Sequence, residues 1–234
     1  MATTVSLSDF QLVDNPLETS MPKTPEAETR PAAKRPIIQH PASTSSGWNA
    51  TDLALIGVFA ALITASIIVP PIPAGVALGV PITLQTLVIT LSGLVLGGGR
   101  AAAATGLYVL LGLVGLPIFS GFRAGVGVLA GGSAGYILAF AVFAAVVGWL
   151  AQIVVRKTGR ADGLWFMGCA LVGLVVSHVS GIIGMMINGR LSLEAAVLAD
   201  LIFVPGDVIK CIIAVVIAIS IHRAFPDILL RRRK

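Results

Sequence analysis

From about residue 49 onward the chain is a succession of apolar runs separated by short clusters of glycine, proline and charge. Six runs stand out: Leu53–Val69, Ile82–Leu96, Ala101–Leu116, Gly135–Val155, Leu164–Ile187 and Pro205–Ile221. A helix that crosses a bilayer needs roughly 20 mostly apolar residues, and several of the runs reach that length without a charge. The second is short unless it tilts or follows a buried loop. The sixth opens on Pro205, which suits a first helical turn because its missing N–H would be unpaired there anyway. Between the fifth and sixth, Ser192–Leu201 reads as a short helix near the surface with Glu194 and Asp200 as its polar residues. The pattern predicts an all-α membrane protein, a six-transmembrane-helix bundle over 49–225.

Composition agrees: 56% of the 234 residues are hydrophobic and 12% charged, too apolar for an ordinary soluble domain. Residues 1–48 are different, with Pro16, Pro22, Pro25, Pro31, Pro36 and Pro41 among Ser, Thr and mixed charge. Such a segment cannot bury enough apolar surface to fold, so a disordered cytoplasmic tail is expected. Residues 226–234 read as a basic cytoplasmic tail. The net charge of +5 does not point to nucleic acid, because the charges flank apolar runs and do not line one face. They report topology. With a cytoplasmic N-terminus, 13 basic residues fall inside and only Arg123 and Arg190 outside, leaving Lys210 within a span. The positive-inside rule then puts both termini in the cytoplasm. Cys169 and Cys211 lie in apolar runs without CxxC spacing and read as small buried hydrophobes.

Two loops on the outside face are apolar yet cannot be helical. One is Pro70–Pro81, with six residues besides its prolines and glycines that are all apolar or alanine; the other runs from Gly115 to Gly132 through Phe119, Ser120, Gly121, Phe122 and Arg123. Irregular backbone at membrane depth is tolerated only where protein buries it or a cavity accepts it. Both loops are therefore expected to fold over the bundle's outer end and line a pocket, with packed connections as the alternative. The inside loops Gly97–Arg100 and Arg156–Gly163 are short, polar and basic, so the asymmetry points to an outward-facing site.

Asp207 and Lys210 are the main candidates for chemistry. Three residues apart, they share one helical face, and an ionisable residue inside a span is costly enough to suggest function. Mutual neutralisation is the plainer alternative. Arg123 could grip a carboxylate through its planar fork, or simply face water. The Gln85 amide wants a partner, a ligand or another helix. Tyr108 and Tyr136 fit an aromatic belt. His178, flanked by Ser177 and Ser180, could relay protons, but with no carboxylate chain evident it reads better as an interhelical hydrogen bond. No Walker loop, HExxH, GxSxG or GxGxxG in a strand context occurs, so no enzyme activity, metal or cofactor is expected. Gly57, Ala61 and Ala65 make a small-residue stripe on the first span that lets another helix approach, within the bundle or from a partner.

Four segments in order carry a family resemblance: Gly79–Thr86 (GVPITLQT), Gly112–Gly121 (GLVGLPIFSG), Gly135-Tyr136, and Gly206-Asp207 followed by Lys210. Over residues 52 to 223 the chain resembles the BioY family, the biotin-specific substrate-binding (S) components of energy-coupling factor (ECF) transporters. The resemblance implies an outward-facing biotin site in the six-helix fold of a prokaryotic plasma-membrane protein, and brings Gln85, Arg123, Tyr136, Asp207 and Lys210 into it. It implies partners as well: a transmembrane coupling protein, which the Gly57–Ala61–Ala65 stripe would meet, and two cytoplasmic ATPases. Oligomeric state, including a homo-oligomer, stays open, as do an S component for another vitamin and a stand-alone vitamin importer. Phe122-Arg123-Ala124 departs from the family pattern, where more glycine is expected.

Overall fold

The computed structural model describes residues 48–69, 72–73 and 80–230. The expected tail falls outside these residues apart from Trp48, as do Arg231–Lys234 and most of the first proline-rich loop. The described chain is mainly helical, with one small ribbon and short irregular connections. Helix α1 (Ala50–Ala65) starts at a capping box, in which the Asn49 side chain accepts from the Asp52 N–H and the Asp52 carboxylate accepts from the Asn49 N–H. This pairs donors that a helix start otherwise leaves unmatched. Strands β1 (Ile72–Pro73) and β2 (Pro81–Ile82) pair antiparallel, Ile72 opposite Ile82, and return the chain to α2 (Gln85–Leu96). Helix α3 (Gly98–Val114) follows after Gly97 alone, whose φ of 79° a side chain would resist. Then come α4 (Ala134–Thr158), α5 (Gly163–Gly189), α6 (Leu193–Leu201) and α7 (Val204–Ala224).

All six apolar runs appear as helices, with shifted ends. Among the described residues, α1 with its 3-10 extension, α4, α5 and α7 are long and apolar enough to cross a membrane. Helices α2 and α3 are apolar but only 12 and 17 residues long. The expected second run loses Ile82 to the ribbon, and the third starts before Ala101 because a single glycine suffices for the turn. Large apolar side chains lie exposed along the helices, among them Leu110, Leu138, Leu164, Val175 and Ile187. Helices that expose such side chains suit a lipid surround.

Helix α4 packs on α2, α3 and α5. Its seam with α5 is closed by glycines: a Cβ on Gly135 would lie 2.0 Å from the Ser180 carbonyl oxygen, and one on Gly184 2.5 Å from the Gly135 nitrogen. Small residues are what let helix backbones approach this closely in a membrane.

Four expectations need correction. Arg100, read as a cation of a short polar loop, is buried: its guanidinium donates to Asp52 at 3.1 Å and to the carbonyls of Leu96, Ile228 and Leu229. Tyr108, read as a belt residue, is fully buried. Asp200 is not a surface residue of its helix but 4% exposed, because α6 turns Ala196, Ala199 and Asp200 inward together. Beyond α7, Leu229 joins the core, so the segment after Phe225 is anchored before the basic residues begin.

Candidate functional site

One cavity opens at the end of the bundle where α2, α4 and α7 begin. It holds every expected ligand residue: Gln85, Arg123, Tyr136, Asp207 and Lys210 all line it. The chain folds there for local reasons. Pro205 sits in the first turn of α7, and the Asp207 N–H bonds back to the Phe203 carbonyl, so Asp207 and Lys210 leave one face one turn apart. Both side chains are buried, and Lys210 Nζ donates to Asp207 Oδ1 at 2.7 Å. The same oxygen accepts from the Thr86 hydroxyl at 2.9 Å, which ties α7 to α2. Lys210 makes no other hydrogen bond among the described residues, so two of its three N–H groups stay available at the cavity wall.

Gln85 begins α2 and donates to the Tyr108 hydroxyl, which donates to the Ile118 carbonyl at 3.0 Å. This chain fixes the amide at the wall. Arg123 comes from the loop between α3 and α4, held by the Ser120 carbonyl at 3.2 Å and the Ser133 hydroxyl at 3.1 Å. The preceding Phe122 has φ 57°, the left-handed region that glycine occupies at least cost. The loop thus holds a bulky side chain in a conformation that strains its backbone. Phe119, Phe140, Phe203 and Ile137 supply apolar wall. The second loop therefore folds into the cavity as expected. Of the first, Val80 and Pro81 reach it, and the rest lies outside the described residues.

The cavity offers a carboxylate that accepts N–H groups, two cations that could meet an anion, and aromatic walls for a flat apolar body. Among the described residues no group of three or more His, Cys, Asp or Glu is arranged to hold a metal. Against this geometry the comparisons are decisive. The BioY family model matches residues 39–227. The chain belongs to the BioY family. It is 36% identical over 191 residues to the biotin transporter BioY of Rhodobacter capsulatus, covering 77% of this chain and 98% of that one. It is 34% identical over 172 residues to the biotin transporter BioY of Thermotoga maritima, covering 74% and 96%. Its fold matches a crystal structure of the S-component for biotin from an ECF-type ABC transporter, with a TM-score of 0.70, 26% identity, and coverage of 74% of this chain and 91% of that one.

Two residues of this BioY protein enter the site's surroundings without having been singled out for it. Asp200 Oδ1 accepts the Tyr136 hydroxyl and lies 2.8 Å from His178 Nδ1. His178 Nε2 in turn faces Asp207 Oδ2 at 3.6 Å. The carboxylate chain that His178 lacks in sequence is thus present in space, one carboxylate on each side of the ring. The available signal was the i, i+3, i+4 spacing of Ala196, Ala199 and Asp200, which marks one face of α6. Gly57, Ala61 and Ala65 lie elsewhere, exposed along α1 and outside the cavity.

Proposed function

We propose that this protein binds biotin in the cavity at the head of α7 and serves its uptake as the S component of an ECF-type transporter. The observation that carries the reading is the buried Asp207–Lys210 pair with donors to spare at an aromatic-walled cavity, in a chain of the BioY family. Biotin's ureido ring brings two N–H donors and a carbonyl acceptor, which Asp207 and Lys210 or Gln85 answer. Its carboxylate calls for a cation, Arg123 or Lys210. Its thiophane and aliphatic chain suit the walls of Phe119, Tyr136, Phe140 and Phe203. Asp207 contributes most when a buried charge-assisted hydrogen bond replaces water.

The six apolar helices, α2 and α3 among them, are read as six membrane crossings, and the distribution of basic residues then puts both termini in the cytoplasm of a prokaryotic cell. The cavity then faces outward. Gly57, Ala61 and Ala65, exposed on α1, offer a small-residue face to a transmembrane coupling protein, and two ATPases supply the energy. Titration of the purified protein with biotin tests binding. Tritiated biotin uptake in a transport-deficient host, with and without the coupling protein and ATPases, tests the assembly. No heat on titration, together with no uptake, would overturn the reading.

A further inference from the structure

Asp200 does not line the cavity, yet it touches two side chains that govern it. Its Oδ1 accepts the Tyr136 hydroxyl from α4 and faces His178 Nδ1 of α5 at 2.8 Å. Tyr136 is held on its other sides as well. Its ring lies against Gly181, where an added Cβ would come within 2.0 Å of it, and meets Phe203 edge-on at 6.2 Å between centroids. The phenol therefore has one freedom left, the direction of its hydroxyl, and Asp200 takes it. On the second branch, His178 stands between the two carboxylates, with Nε2 3.6 Å from Asp207 Oδ2 and no hydrogen-bond partner among the described residues. Asp207 already gives Oδ1 to Lys210 and Thr86, so the His178 ring bounds the space behind its other oxygen. A carboxylate 4% exposed is costly to bury unless its hydrogen bonds are made; here those bonds all lead to the ligand cavity.

We infer that Asp200, from outside the cavity, is a positioning residue for the ligand site: it sets Tyr136 directly and the rear of Asp207 through His178. Helix α6 is thereby a buttress between α5 and α7 and not a surface ornament. The inference rests on the biotin-binding reading above. Binding geometry held by a second set of buried hydrogen bonds is what makes a site selective.

The test is calorimetric biotin titration of the full chain in detergent, as wild type, Asp200→Ala, Asp200→Asn, Tyr136→Phe and the double variants. Asn keeps the oxygen that both donors use. Asp200→Ala is expected to weaken biotin about tenfold or more, the scale of a lost hydrogen bond to a charged group, while Asp200→Asn stays within about threefold. Asp200→Ala/Tyr136→Phe should bind about as well as Asp200→Ala alone, because contacts in one network are not additive. Asp200→Ala at wild-type affinity, Asp200→Asn as weak as Asp200→Ala, or additive losses would each overturn the inference. Should Asp200→Ala fail to yield monodisperse protein, Tyr136→Phe and Asp200→Asn/Tyr136→Phe decide: equal affinities are expected, and a further fall of more than about threefold on adding Asn overturns it. A wild-type protein that does not bind biotin would instead sink the reading on which the inference stands.

Discussion

Asp52–Arg100 and Asp207–Lys210 are alike in chemistry: one carboxylate and one cation, both buried, 3.1 and 2.7 Å apart. They occupy opposite ends of the bundle. The first sits where α1 and α3 begin and α7 has ended; the second sits where α2, α4 and α7 begin. The surroundings separate them. Arg100 also donates to the carbonyls of Leu96, Ile228 and Leu229, so its fork ties three stretches of chain together. Lys210 gives one N–H to Asp207 and keeps the rest at a cavity. A buried ion pair is weak evidence for stability and no evidence for a site by itself. What distinguishes the two pairs is whether the donors left over meet backbone or open space.

That distinction can be broken by experiment. Asp207→Asn or Lys210→Ala should abolish measurable biotin binding, a loss of about 3 to 5 kcal/mol as for any buried pair deprived of one partner, read by titration of the purified variants. Arg100→Ala should give the mirror image. Its unfolding midpoint should fall by about ten degrees, from a similar energy, while the fraction that stays folded binds biotin within about twofold of wild type. Equal affinity losses in both variants would erase the contrast. Gly181→Ala sharpens the pocket end alone: the new methyl collides with the Tyr136 ring, costing about 1 to 3 kcal/mol, and biotin affinity should drop about tenfold while the Arg100 end is untouched. Tyr108→Phe comes last. Removing the hydroxyl between Gln85 and the Ile118 carbonyl releases the amide at the wall, and about 1 kcal/mol, or roughly fivefold in affinity, should go with it.

The helices were legible because apolar runs and their glycine and proline boundaries are local properties. So were Asp207 and Lys210: a charge inside a span is visible without knowing what surrounds it. Gln85, Arg123 and Tyr136 lie together at the cavity that the apolar loops suggested. Asp200 escaped because nine residues between two spans look like a surface helix until the partners of its inner face are known. Its company with Ala196 and Ala199 was a clue, but the hydroxyl and imidazole it meets come from α4 and α5, 64 and 22 residues away. Arg100 looked like a loop cation for a similar reason, since Asp52 is 48 residues distant and the last carbonyls it caps lie beyond α7. Tyr108 read as an interfacial aromatic because its acceptor, Ile118, belongs to an irregular loop whose path no periodicity reveals.

Helix α2 carries a last consequence. Its 12 residues rise about 18 Å against a hydrocarbon layer about 30 Å thick. Gln85, at its first position, is a buried polar group that lines the cavity. A helix this short, placed in a bilayer, leaves part of the hydrocarbon thickness to be filled by other parts of the protein. Whatever fills that part contributes to electrical tightness as well as to recognition.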